Sequence, residues 1–478
     1  MRKTIPLNDL IAERCRRSFY YFVREFWDTI INETPVWNWH IEYLCNELQE
    51  IGERVKRREA TPFDWFIINV PPGSSKSTII SILYPMWCWA IDPTQRFICG
   101  SYASMVSEDL ADKAKKVFVS EKYRSYFPYV GVRSDAKTKL ENGHNAERYT
   151  TSTGSTITGV HAHQGIIDDP LSTQAATSET ERLNGNNWVN KTVSSRKVDK
   201  AVSVLILVMQ RLHEEDPTGM LLEKAEKEGL RVKHVCIPAE LPKIEQNNVF
   251  PIELRDKYVN GLFDPIRANA AVLKAQRLLL GSFGYAGQYD QRPADLSGGV
   301  FKRDWFEIVD KFHAGKVKKF QLDTAYTEKA ENDPTGMGTY FVEDNTVYIT
   351  DWQAQRLEFP ELCEWVKTTT KNNGYTDQSL IRVEPKASGK SLVQELRRNT
   401  SLNITESDNP EKDKQTRAAT ISARCEAGRV KLIRGAWNEA FINEVCTFPK
   451  AKHDEAVDVL VEIVRNELQE ETWDQIWA

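Results

Sequence analysis

Two groups of residues in this chain have the types and spacing to do chemistry. The first is the loop PPGSSKST, set between the apolar runs WFIINV and IISILYPMWCWA. A strand, a tight loop and a helix in that order aim backbone N–H groups at an anion. Gly73, Ser74, Ser75 and Thr78 would then wrap the phosphates of ATP, with Lys76 reaching the β and γ phosphates and Ser77 holding Mg²⁺. The regular GxxxxGK[ST] pattern is not kept, because Val70 and Ser75 stand at its two glycine positions. Further on, HQGIIDDP ends a short apolar run in two carboxylates. There Asp168 would hold Mg²⁺ through water and Asp169 would polarise the attacking water, although Asp-Asp-Pro is also a turn sequence.

The second group is carboxylic. Asp323 lies at the middle of the apolar run KKFQLDTA, Glu384 ends LIRVE, and KHDEAVDVLVEIVRNEL places Asp454 and Asp458 on one face of a helix, beside an apolar stripe of Val457, Leu460, Val461 and Val464. Charges on buried strands are costly unless paired or metal-bound. One acid on a first strand, one at a later strand end and one or two on a last helix is the layout of an RNase H-like nuclease. Oxygen ligands of this kind suit Mg²⁺ or Mn²⁺ in two-metal phosphodiester cleavage. Asp454 serves equally as a helix N-cap, and Asp333 in ENDPTG is either an auxiliary ligand or a turn residue. A second GKS, at Gly389, Lys390 and Ser391, competes for the nucleotide. No later apolar strand ends in an acidic pair to serve it, and Glu384, at its first glycine position, would repel phosphate.

These residues need elements to position them. WFIINV, RFICGSY, QGIIDDP and SVLILVMQ are predicted buried strands, alternating with helices such as MVSEDLADKAKKVF and EDPTGMLLEKAEKEG, which together imply a parallel sheet with helices on both faces. Residues 1–60 read as a helical lead-in. A P-loop domain is expected over 1–240, a Pro- and Gly-rich linker or connecting subdomain over 241–300, and a second α/β unit over 301–478. That unit has predicted strands KKFQLDTA, MGTYFVED, TVYITDWQAQ and LIRVEP, and helices near 359–372, 389–398 and 455–470.

At 478 residues the chain exceeds one ordinary core. No apolar run approaches a bilayer span, and MRKTIPLNDLIAERCRR does not read as a secretory signal, so a cytoplasmic location is expected. Eight cysteines without a CxxC pair argue for reduced, packed thiols rather than zinc or disulfides. The net charge of −5 provides no global footprint for nucleic acid, so DNA contact must be local.

With PPGSSKST, GSTITGVHAHQGIIDDP, MQRLHEEDPTGMLLE, GQYDQRPADLSGGVFKRDW, the Asp323 strand and HDEAVD in hand, the chain resembles the large terminase subunit of tailed bacteriophages over nearly its whole length. The resemblance implies an ATPase that drives double-stranded DNA into a procapsid and a nuclease that cuts the concatemeric genome in the host cytoplasm. It also implies a portal protein, a small terminase subunit and a homo-oligomeric ring as partners. On that resemblance Lys76 and Ser77 are the Walker A pair, Asp168 and Asp169 the Walker B and catalytic acids, and Asp323, Glu384 and Asp454 or Asp458 the nuclease ligands. His40 stands where the family carries an adenine-recognising glutamine. Arg148 and Arg211 are its arginine-finger candidates, and Gln210 its coupling candidate. The rivals are a helicase or repair ATPase fused to a nuclease, and a degenerate ATPase serving as a DNA-binding scaffold.

Overall fold

The apolar runs that frame the lysine loop and the acidic pair become neighbouring parallel strands. The computed structural model describes residues 6–136, 138–293, 299–311, 314–324, 334–385, 387–408, 414–449 and 454–468. The chain divides into two compact units, Met1–Lys274 with Phe283–Ala294, and Ala275–Ser282 with Asp295–Ala478. The segment 241–300 is therefore shared between them rather than forming a unit of its own.

In the first unit the strands are β1 (Trp65–Asn69), β2 (Phe97–Ser101), β3 (Val132–Ala136), β4 (Lys139–Asn142), β5 (Glu147–Ser152), β6 (Gln164–Asp168), β7 (Val204–Met209) and β8 (Val232–Cys236). They form one sheet in the order β3-β4-β5-β2-β6-β7-β1-β8. From β5 to β8 every pairing is parallel. β1, β2, β6 and β7 are buried along their whole length, as a sheet covered on both faces requires. Ile67, Ile98, Ile167, Leu205 and Leu207 pack against Trp188, Val189, Val193 and Leu221 on one face. The alternate residues, Phe66, Ile68, Ile166 and Ile206, point to the other.

An all-parallel sheet is corrected at one edge, where β3, β4 and β5 pair antiparallel. Their connections are too short for the crossover a parallel pair needs. The expected helical lead-in forms as Leu7–Arg17, Phe19–Phe26 and Trp39–Lys56. It is tied down by aromatic packing: Phe19 meets Tyr84 at 5.4 Å and Trp87 at 5.2 Å, and Trp87 Nε1 donates to the Cys15 carbonyl. Trp37 packs edge-on against Trp27.

The second unit contains β9 (Glu307–Val309), β10 (Lys319–Asp323), β11 (Thr335–Glu343), β12 (Thr346–Gln355), β13 (Leu380–Val383), β14 (Ile404–Glu406) and β15 (Val430–Ile433). The sheet order is β14-β13-β10-β11-β12-β15-β9. β10, β11 and β12 form an antiparallel meander, and β13 and β14 add in parallel beside β10. This is the RNase H-like arrangement. The helix Glu455–Glu467 packs on β10, β11 and β12 and against the helices Lys414–Glu426 and Asn438–Thr447. Gly338 of β11 is its seat, since a Cβ there would stand 2.7 Å from Val459 Cγ1.

Every residue from Glu455 to Val464 is buried, so the expected one-sided apolar stripe is corrected to a helix covered all round. All eight cysteines are free thiols. Among the described residues no helix is long and apolar enough to cross a membrane.

Candidate active sites

In the first unit β1 delivers the chain into the loop, and Ser75 turns it with φ +63°, a left-handed conformation that glycine adopts more readily. The helix after it opens with π-helical turns over Thr78–Leu83 before continuing as Tyr84–Ile91. Two hydroxyls from this region converge on one carboxylate. Ser77 Oγ donates to Asp168 Oδ1 at 3.1 Å and Ser81 Oγ to Asp168 Oδ2 at 2.6 Å.

Asp168 is the last residue of β6, and β7 lies between β6 and β1, so the acidic pair faces the loop across one strand. Lys76 Nζ lies 3.3 Å from Asp169 Oδ2. Asp169 has φ +44°, its N–H donates to the Val208 carbonyl, and its Oδ1 accepts from the Gln210 N–H at 3.2 Å. Burial, and then the neighbouring charge of Asp169, push Asp168 up to about 6. A buried carboxylate held partly against its charge, beside a serine hydroxyl and a lysine, fits a divalent cation accompanying a phosphate.

His40 is brought to the loop from behind. Asn38 Nδ2 lies 2.8 Å from its Nδ1 and can only donate, so Nε2 carries the proton and donates to the Ser74 carbonyl at 3.0 Å. Burial lowers this histidine to about 4, consistent with a neutral ring. Trp39 Nε1 donates to the Phe263 carbonyl. Arg148 is fully buried, with Nη2 on the Ser81 carbonyl and Nη1 on Thr150 Oγ1. Arg211 Nε donates to both oxygens of Asp216, the N-cap of the helix Pro217–Glu228. Gln210 Oε1 is buried without a hydrogen-bond partner.

The sequence reading missed Ser81 and Arg267. Arg267 Nη1 donates to Ser75 Oγ at 3.1 Å. A serine inside an apolar run and an arginine far along the chain carry no local signal of either contact.

In the second unit Asp323 ends β10 rather than sitting at its middle, and Glu384 directly follows β13. Leu322 and Val383 are register partners on these parallel strands, so the two acids emerge side by side, and the Glu384 N–H donates to the Leu322 carbonyl. Asp323, Glu384 and Asp458 are all buried. Burial, and next the charge of Asp323, raise Asp458.

Two cations missed by the sequence reading meet these acids. Lys414 Nζ bridges Asp454 Oδ1 at 2.5 Å and Asp458 Oδ2 at 2.6 Å. Arg417 donates to Asp458 Oδ1 at 3.0 Å and lies 3.9 Å from Glu384 Oε1 and 3.5 Å from Glu462 Oε1. The donors are hard oxygens of the kind a divalent metal takes, but Lys414 and Arg417 now supply the countercharge. Among the described residues no three His, Cys, Asp or Glu side chains are arranged to hold a metal. Asp333 lies outside the described residues.

The second GKS has a structural explanation. A Cβ on Gly389 would stand 2.1 Å from the Glu384 carbonyl oxygen, so glycine lets the helix Ala387–Asn399 start against the strand end that carries Glu384. Lys390 is exposed.

Fold and sites together define an α/β chain that pairs a lysine-loop sheet with an RNase H-like unit. Residues 321–478 match the family model of the terminase RNaseH-like domain. The terminase resemblance read from the sequence is borne out there. No curated protein matches the chain. Among solved structures it is similar to the large terminase of a thermophilic bacteriophage, with 12% identity, 87% of this chain and 98% of that chain covered and a TM-score of 0.47. It is also similar to the HK97 bacteriophage large terminase, with 13% identity, 94% and 98% covered and a TM-score of 0.37. The large terminase nuclease of the thermophilic phage G20c with bound magnesium is a third, with 14% identity, 35% and 96% covered and a TM-score of 0.27.

Proposed function

We propose that this chain is the ATP-hydrolysing motor and DNA-cutting nuclease of viral genome packaging. In this role it drives double-stranded DNA into a procapsid and cleaves concatemeric DNA, working with a portal protein and a small terminase subunit as part of a homo-oligomeric ring. The observation that carries the reading is the meeting of Lys76, Ser77 and Ser81, which follow β1, with Asp168 and Asp169 at the end of β6, one strand away. Lys76 would leave Asp169 for the phosphates, freeing that carboxylate to orient and polarise the attacking water. Ser77 and Asp168 would hold Mg²⁺ at the nucleotide. In the nuclease unit Asp323, Glu384 and Asp458, with Asp454, would hold Mg²⁺ or Mn²⁺. Divalent metal supplies charge stabilisation and an activated water for phosphodiester cleavage.

The test separates the two activities in the full-length protein. Lys76→Ala is expected to abolish ATP hydrolysis and packaging while metal-dependent cutting of DNA persists, and Asp323→Asn is expected to do the reverse. Normal cleavage by Asp323→Asn would remove the nuclease assignment, and normal hydrolysis by Lys76→Ala would remove the motor assignment.

A further inference from the structure

Arg267 stands in an irregular segment far from the loop in sequence, yet its guanidinium is built into the loop's surroundings. Asp264, fully buried, accepts the N–H groups of Ile266 and Arg267 on Oδ1 and Arg267 Nε at 2.7 Å on Oδ2. That arrangement fixes the plane of the guanidinium. Nη1 reaches Ser75 Oγ at 3.1 Å, and Nη2 is buried with no hydrogen-bond partner. A buried guanidinium donor without an acceptor is costly to keep. A pre-oriented arginine fork with donors to spare matches the oxygens of a phosphate. Ser75 is the residue before the loop lysine, and the adjacent Ser74 hydroxyl is likewise buried without a partner.

From this geometry we infer that Arg267 is a nucleotide-binding residue acting within its own chain, contacting a phosphate of the nucleotide held by the loop. The inference rests on the ATPase reading above and adds a residue to it. Nη1 of the guanidinium rests on the Ser75 hydroxyl. With nucleotide bound, the free donors turn to phosphate oxygen while Asp264 keeps the side chain in place. Occupancy of the loop is thereby felt by the segment 264–268, whose Ala268 N–H donates to the Asp264 carbonyl, and by the helix that Asn269 caps.

The experiment measures binding of ATP-γ-S and of ADP by calorimetry to full-length wild type, Arg267→Ala, Arg267→Lys and Ser75→Gly. Glycine suits the φ of Ser75, keeps its backbone N–H for the phosphates and removes the hydroxyl that Arg267 holds. Arg267→Ala is expected to weaken ATP-γ-S binding about ten- to a hundredfold, the range for one charge-assisted hydrogen bond to an ion. The loss should be at least tenfold greater than in Ser75→Gly, and Arg267→Lys should recover part of it. Equal losses in Arg267→Ala and Ser75→Gly would mean that Arg267 only buttresses the loop, overturning the inference, as would wild-type affinity in a folded Arg267→Ala. If Arg267→Ala fails to fold, Arg267→Lys decides: undiminished affinity there, despite the lost fork, overturns the inference. Absence of nucleotide binding by wild type itself would instead sink the ATPase reading.

Discussion

Asp168 pays for its position in stability, and Asp168→Asn should recover that cost. In the folded chain its carboxyl is raised from 3.8 to about 6, chiefly by burial and then by the charge of Asp169. A carboxylate raised on folding binds its proton more tightly in the folded state. Its penalty is therefore absent below pH 3.8, grows as pH rises toward 6 and is complete above that. A shift of this size corresponds to about 3 kcal/mol. Asparagine removes the buried charge but keeps one acceptor oxygen for the two donors Ser77 and Ser81, giving back about 1 kcal/mol for the lost hydrogen bond.

The expected result is a metal- and nucleotide-free Asp168→Asn protein about 2 kcal/mol more stable than wild type at pH 8, with the gap closing as pH falls and changing sign at about pH 4, below which only the lost hydrogen bond remains. It should be unable to hydrolyse ATP. Urea unfolding of both proteins across that pH range, followed by fluorescence, measures the gap directly. A variant less stable than wild type at pH 8, or a gap that does not change with pH, would refute the claim that a buried charge is being held at cost.

Two further expectations concern the second unit. Arg417→Met should destabilise it by about 3 to 5 kcal/mol, the range for removing one partner of a buried ion pair, because Asp458 loses a direct donor and Glu384 and Glu462 lose a nearby cation. Denaturant unfolding reads this, and a change below about 1 kcal/mol would show that the arginine is dispensable there. Gly389→Ala should displace Glu384 and abolish DNA cleavage while leaving ATP hydrolysis at the wild-type rate, because the new methyl would meet the Glu384 carbonyl oxygen at 2.1 Å. Parallel cleavage and hydrolysis assays check it, and retained cleavage would mean that the helix start can yield.

Much of this protein was decided locally. Buried parallel strands need apolar side chains on both faces, so WFIINV, QGIIDDP and SVLILVMQ announced β1, β6 and β7, and the end of QGIIDDP announced the acidic pair. The helix 359–372 and the strand TVYITDWQAQ were legible for the same reason, since their periodicity lies in contiguous residues. The three-residue strands β9 and β14 were not, because three residues hold too little pattern to distinguish a strand from a loop.

Tertiary structure alone decided the partners. Ser81 became a hydrogen-bond donor to Asp168 because β6 lies one strand from β1. Arg267 came to Ser75 from a loop 192 residues further along the chain. Lys414 and Arg417 look like solvated charges on the helix Lys414–Glu426, and only its packing against the helix Glu455–Glu467 turned them into the counterions of Asp454 and Asp458. The chain itself determined which residues could do chemistry, since charge and backbone conformation belong to residues and their neighbours. Which charges meet depends on strand order and helix packing, long-range properties that no local stretch of sequence contains.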